Sequence, residues 1–560
     1  MGRRHIKNES YGISREPLIV ALVLFVIALR ALFILYPLFT ILKTSLISTS
    51  GKFTFESYIN CFKNDRFLTT FGNTIKLGLL TALFSTIIGF LFAYTISCVK
   101  SPFKPLFKII EVLPLVTPPF VLSFSAIQLL GKRGLITYGL LGLKNWNIYG
   151  LKGLVIVQVM SFFPVASMTF EGLFANFDVS MEEAARNMGA NRLKVFLTVT
   201  IPMMLSGIAN VFLIAFIESA TDFANPMALG GGFPVLASQI YVQAINNFDW
   251  STGTTYAVIL LALTVAVFIV QKVYLDKKSF VTLTGKASRE REQISDKGIM
   301  ITCNVLSLLV CFVVLLFYVF MILGGFFKLW GRDYHLVPDH LLNVLSLAGK
   351  PIKDTLIVAL LVAFFCSVLS VLVAFLIVRK KFRGRAFIEF ASLFGMAVPG
   401  VVFGLGYVLS FNSKPLVLTN TLSILVIILV MTRLPVGVRS SISSLRQIDP
   451  SIEEAAQDVG AGTGKVFTSI TIPLIKPAFF SSWVFSFIKS MTAVSAVVFV
   501  VSANYNLLTV RIMQFVEKAQ YGNACALSTV LIVIVLVIVS IMRFVIGKLG
   551  VSTDDQTQLI

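Results

Sequence analysis

Apolar runs long enough to cross a bilayer, about 20 residues each, recur along the whole chain. They predict twelve membrane helices, at roughly 18–42, 70–97, 106–130, 151–175, 205–221, 254–275, 299–325, 354–378, 386–411, 416–438, 478–501 and 525–547. The fifth run ends in two acids, Glu218 and Asp222. Polarity rises between the fourth and fifth runs and again between the tenth and eleventh, and there one pattern occurs twice, 271 residues apart. The first copy is Glu183-Ala184-Ala185, three residues, Gly189, nine residues, Val199, one residue, Ile201-Pro202. The second is Glu454-Ala455-Ala456, three residues, Gly460, nine residues, Ile470, one residue, Ile472-Pro473. The flanks agree as well: Glu182 matches Glu453, Ala190 matches Ala461, and Val195-Phe196 match Val466-Phe467.

The duplication extends into the apolar body. Thr74 matches Thr355 and Pro118 matches Pro399 at an offset of 281, so the first half carries ten extra residues before the polar motif. The glycine-rich connection at 131–150 is the place for them. The expected organisation is a first six-helix half at 1–275, a polar connector at 276–298 and a second half at 299–560. Each half carries its motif between its fourth and fifth helices. The halves therefore run in the same direction, a parallel repeat about an axis along the membrane normal, and a pathway is expected on that axis.

Composition agrees. The chain is 56% hydrophobic and 13% charged, against about 25% charged in soluble domains. Its net charge of +20 is concentrated in short connections: Arg3, Arg4, Lys7 and Arg15; Lys100, Lys104 and Lys108; Lys272 to Lys297; and Arg379 to Arg385. With twelve helices all four clusters share one side, which the positive-inside bias makes cytoplasmic. Both motifs and both termini then also face the cytoplasm, and the basic excess reads as topology rather than nucleic-acid binding. The run at 18–42 exceeds a secretory signal core of about 7–15 residues and reads as a retained anchor. The six cysteines show no paired metal spacing and read as small hydrophobes.

Glu-Ala-Ala favours helix, and acids suit a first helical turn. Asp178 or Ser180 in the first copy, and Asp449 or Ser451 in the second, are candidate caps. Gly189 and Gly460 permit a sharp reversal, and Pro202 and Pro473 mark re-entry towards the bilayer. The doubled element resembles the motif of binding-protein-dependent ABC importer permeases, with Val199 standing where isoleucine is usual. The segments Leu113–Pro119, Glu218–Pro226 and Met491–Val497 are similar to stretches of the fused, two-half ferric-iron type. The resemblance implies an all-α polytopic fold of about twelve helices in two homologous halves, in the bacterial inner membrane. It implies that Glu183, Ala184, Ala185, Gly189, Pro202, Glu454, Ala455, Ala456, Gly460 and Pro473 couple to two copies of a cytoplasmic ABC ATPase. It further implies an extracytoplasmic substrate-binding protein and a ferric cargo. Related fused permeases carry 2-aminoethylphosphonate or other small anions, which is the alternative cargo.

The chain itself offers no phosphate-cradling loop. Gly460-Ala461-Gly462-Thr463-Gly464-Lys465 imitates one, but Val459 stands at the required first glycine and Val466 at the magnesium-binding hydroxyl. ATP and magnesium are therefore expected on the partner, with no cofactor and no resident metal here. His335, Asp339 and His340 share one short loop, but ferric iron prefers hard oxygen donors, and they read as a solvated loop. A secondary transporter also has two six-helix halves, yet needs no duplicated cytoplasmic loops. The candidate pathway residues are Glu218 and Asp222, with Lys489 corresponding to Glu218 at the 271 offset. Acids at the end of an apolar span require water, a cation or a basic partner.

Overall fold

Prolines interrupt some of the apolar runs, while Pro164, Pro351 and Pro435 lie inside helices that continue past them. The computed structural model describes residues 17–47, 51–275, 293–380, 382, 384–449 and 451–548. Among them nine helices are long and apolar enough to cross a membrane: α1 (Ile19–Ser45), α2 (Asp65–Cys98), α3 (Leu151–Ala175), α4 (Arg192–Thr221), α5 (Trp250–Val273), α6 (Lys297–Gly324), α7 (Asp339–Arg379), α8 (Leu422–Gln447) and, after the shorter α9 (Lys476–Met491), α10 (Tyr521–Lys548). α9 forms a bent pair with Gly464–Leu474, the two meeting at 69°.

The runs expected at 106–130 and 386–411 are not single helices. The first divides into Lys104–Val112, a 3-10 turn at Leu113–Leu115 and Val121–Leu130. The second divides into Arg385–Phe394 and Gly400–Phe411. Pro118, Pro119 and Pro399 lie in the gaps, where a missing N–H and a ring that clashes with the preceding turn stop the helix. Helix resumes at once, with Pro118 and Pro399 accepting bonds from Val121 N (3.1 Å) and Val402 N (3.0 Å). The run at 478–501 also stops early, at Met491, followed by a 3-10 turn at Val497–Phe499. The run at 205–221, by contrast, lengthens back to Arg192.

The repeat is visible in individual contacts. Thr74 in α2 accepts a bond from Leu236 N, and Thr355 in α7 accepts one from Leu508 N, both at 2.9 Å. Each thereby satisfies an orphan donor at the start of a short helix, Leu236–Tyr241 or Leu508–Glu517.

The leading helix of each half packs on the other half. Tyr407 of the second half donates to Phe33 O in α1 (2.8 Å), and Arg30 Nη1 donates to Ala391 O (3.2 Å). In return, Ser125 of the first half donates to Phe317 O in α6 (2.6 Å), and Thr117 shares a hydrogen bond with Tyr318. Gly406 lets α1 approach closely, since a Cβ there would meet Ile41 Cδ1 at 2.9 Å. The outward faces of α1 and α6 remain apolar, with Leu24 and Phe312 exposed, as lipid contact requires.

Apart from these helices, a hairpin of β1 (Phe327–Leu329) and β2 (Asp333–Leu336) follows α6. The N-terminal basic cluster, residues 276–292 of the connector, Lys381, Arg383 and the C-terminal segment lie outside the described residues. From residue 293 the connector is described, and Ile294 is bridged in parallel to Val99 at the end of α2.

Candidate functional site

Each polar motif folds into two short helices around a glycine. In the first, Ser180–Asn187 is followed by Arg192–Val195, which runs through a π-helical turn at Phe196–Thr200 into the membrane part of α4. In the second, Ser451–Asp458 is followed by Thr463–Val466 and a matching π-helical turn at Phe467–Thr471. Asp178 and Asp449 accept from the backbone N–H of Ser180 (3.0 Å) and Ser451 (2.9 Å). Hydrogen bonds from the hydroxyl and N–H of Ser180 hold the Asp178 carboxyl below its ordinary range, and those from the N–H and hydroxyl of Ser451 do the same for Asp449. Asn191 caps the next helix by accepting from Lys194 N (2.8 Å).

Gly189 and Gly460 adopt φ +88° and +89°. A Cβ at either would meet nothing within 4 Å, so backbone conformation rather than space demands glycine there. Glu183, Ala184, Glu454 and Ala455 are exposed, and Ala185 and Ala456 are half-buried. Both loops also present apolar tips at matching positions. Met188 and Val459, each just before its glycine, are 82% and 86% exposed, and Met181 and Ile452 are 54% and 48% exposed. The phosphate-loop imitation at Gly460–Lys465 is this same turn and the start of its second short helix.

The loops are locked by the other glutamate. Thr200 donates to Glu182 Oε1 (2.6 Å) and Thr471 to Glu453 Oε1 (3.1 Å). Glu453 also pairs with Arg379 Nε (3.1 Å), while Arg379 Nη2 donates to Ile448 O (3.0 Å). The signal for these residues was the 271 register itself, which pairs Thr200 with Thr471 and Glu182 with Glu453.

Pro202 lies in the first turn of the membrane part of α4 without breaking it, since α4 is continuous from Arg192 to Thr221. After Pro473 the chain bends instead. Pro477, close after this bend, has Ser206 at its position in the first half.

Between the halves lies a cavity of 950 Å³. Its walls repeat the internal symmetry: Leu115 with Met396, Val165 with Val436, Met168 with Arg439, Ile214 with Phe485, Ile217 with Ile488, and Glu218 with Lys489. Glu218 and Lys489 thus reach the same space from the two halves, without forming a direct ion pair. Arg433 Nη2 donates to Lys489 O (3.2 Å) behind the wall.

Asp222 does not join them. α4 ends at Thr221, and Asp222 turns away into extended backbone (ψ 118°), so the two acids do not share a helix face. The Asp222 side chain is buried and accepts from Gln158 Nε2 and Asn225 Nδ2 (2.8 Å each), Ala224 N (3.1 Å) and Asn225 N (3.3 Å). It is a satisfied internal cap for the helix at Ala224–Leu229.

His335 and His340 do not converge on a metal site. His340 Nδ1 lies 3.0 Å from Asn523 Oδ1, and no group of three or more His, Cys, Asp or Glu with metal-binding geometry occurs among the described residues.

The family described as "Binding-protein-dependent transport system inner membrane component" matches residues 85–279 and, a second time, residues 366–550. The chain belongs to this family. It is thus a multi-pass transport subunit of the inner membrane, and each match contains one polar loop. A ferric transport system permease protein, FbpB, from Actinobacillus pleuropneumoniae is 34% identical over 547 residues, covering 95% of this chain and 79% of that protein. An Fe(3+)-transport system permease, FbpB 2, from Haemophilus influenzae is 20% identical over 82% of this chain and 86% of its own length. The molybdenum transport system permease ModB of Escherichia coli is 30% identical over 167 residues, 29% of this chain and 71% of ModB.

Proposed function

We propose that this chain is the membrane-spanning subunit of an ATP-driven importer for ferric iron. An extracytoplasmic binding protein delivers the cargo, and two copies of a separate cytoplasmic ATPase seat on the two loops. The observation that carries the coupling role is the pair of left-handed glycine turns with exposed apolar tips at Met188 and Val459. Apolar side chains of this exposure on a polar loop suit burial in a partner's cleft. The ferric cargo is supported by relatives named for ferric transport that align along most of the chain. The basic clusters support a cytoplasmic side for the loops, both termini and the connector. Glu218 and Lys489 form part of the passage wall.

A small-anion cargo is the second reading, favoured by the local match to a molybdenum permease and by Lys489 and Arg439 in the cavity wall. The test uses the permease in lipid vesicles with its ATPase and its binding protein. Radiolabelled ferric iron should accumulate only with ATP. The Gly189→Arg, Gly460→Arg double variant should insert normally and lose uptake, because a side chain in the left-handed region costs about 1–2 kcal/mol at each turn and displaces the tips. Full uptake by that variant would end the coupling assignment. Retention of an oxyanion rather than iron by the binding protein would favour the second reading.

A further inference from the structure

The cavity between the halves carries the wrong sign of charge for a bare metal cation. Its wall holds four cationic side chains, Lys272, Arg439, Arg446 and Lys489, and two acids, Glu218 and Glu389. Glu389 is already engaged by Arg446 Nη2 at 3.4 Å. Lys272 lies over the Phe268 and Phe390 rings, 5.9 and 5.4 Å from their centroids. Glu218 shares this wall with Lys489 and Arg439.

The position of Arg439 is the telling one. Its counterpart in the first half is Met168, on the same cavity, so the fold accepts an apolar side chain at this place and does not itself require the guanidinium. Along α8, Arg439 lies eight residues before the last residue, Gln447, which also lines the cavity. That is about 12 Å at 1.5 Å per residue. The cations therefore stand at different depths, Arg446 and Lys272 near the helix ends on the loop side, then Arg439, and Lys489 near the far end of α9.

A ferric ion is a hard cation that prefers anionic oxygen donors, and a wall with twice as many cations as carboxylates opposes its charge. A guanidinium recognises oxyanions through directed hydrogen bonds. We propose that the cargo crosses this cavity as a net-anionic complex, the ferric ion carrying its own anionic oxygen ligands, which Arg439 and Lys489 hold. This deepens the ferric reading and rests on it. The ligand chemistry is shared by inorganic phosphate and by small polycarboxylates, and the experiment separates them.

The permease, its ATPase and its binding protein are assembled in vesicles. The binding protein is loaded with iron-55 together with either phosphorus-32 phosphate or carbon-14 citrate, and both labels are counted inside after ATP is added. One anion should enter with iron in a fixed ratio. Arg439→Met, which copies the first half and so preserves packing, should lower entry of both labels together about 10-fold. Arg439→Lys should restore most of it. Entry of iron without either anion would overturn the proposal, as would an Arg439→Glu variant that imports iron at the wild-type rate or faster. Entry of an anion without iron would instead overturn the ferric reading.

Discussion

Among single residues, the contact that shapes each loop belongs to Glu182 and Glu453 rather than to the glutamate of Glu-Ala-Ala. Glu453 and Arg379 are each only 9% exposed, so removing one partner strands the other charge in a poor solvent. Breaking such a pair costs about 3–5 kcal/mol. Glu453→Ala should accordingly speed amide hydrogen exchange across Ser451–Asp458 by two orders of magnitude or more, read by mass spectrometry, while exchange in α7 away from Arg379 stays unchanged. An unaltered loop would show that the short helix is held by something other than this pair. The glycines of the motif are legible in the sequence, because a left-handed turn restricts residue type so strongly that it marks the chain. The Glu–Thr contact is less so. It joins residues eighteen apart on either side of the glycine turn, so no single helix or strand connects them; only the internal repeat betrays it. Asp222 shows the opposite difficulty. An acid at the end of an apolar run reads as exposed chemistry, and nothing local reveals the four donors that Gln158, Ala224 and Asn225 bring to it.

Among elements, the two loops differ in how they join their membrane helices. The first continues without a break into α4, whereas the second meets α9 at 69°. Pro477 explains the difference: it has no N–H to bond Pro473 O, and Ile475 leaves helical geometry at φ −100°, ψ 12°. Pro477→Ala should let the helix run through as in the first half. Spin labels at Thr468 and Trp483 would then report a longer separation, and uptake per ATP should fall if the bend is needed for transport. An unchanged separation would assign the bend to tertiary packing instead. Apolar content alone predicts the position of the membrane segments well, since each of the twelve runs overlaps helix. It does not distinguish one helix from two. Averaging over a run of about 20 residues conceals a proline gap of a few residues, which is why 106–130 and 386–411 read as single spans.

At the level of the whole molecule, the exchange of leading helices ties the halves together independently of the connector. Two co-expressed fragments, divided within 276–292, should therefore associate through α1 and α6. Capture of one by an affinity tag on the other, with uptake retained, is the expected result; separate elution would mean that the connector is essential. The same exchange sets an order of events during synthesis. α1 is complete at Ser45, but its seat at Gly400–Phe411 does not exist until roughly 350 residues later, about 20–70 s at ribosomal rates of about 5–20 residues per second. Throughout that interval Arg30 has no Ala391 carbonyl to meet. The newborn helix must wait in the lipid with an unseated charge, so the earliest hazard in this protein's life falls before its second half has been made.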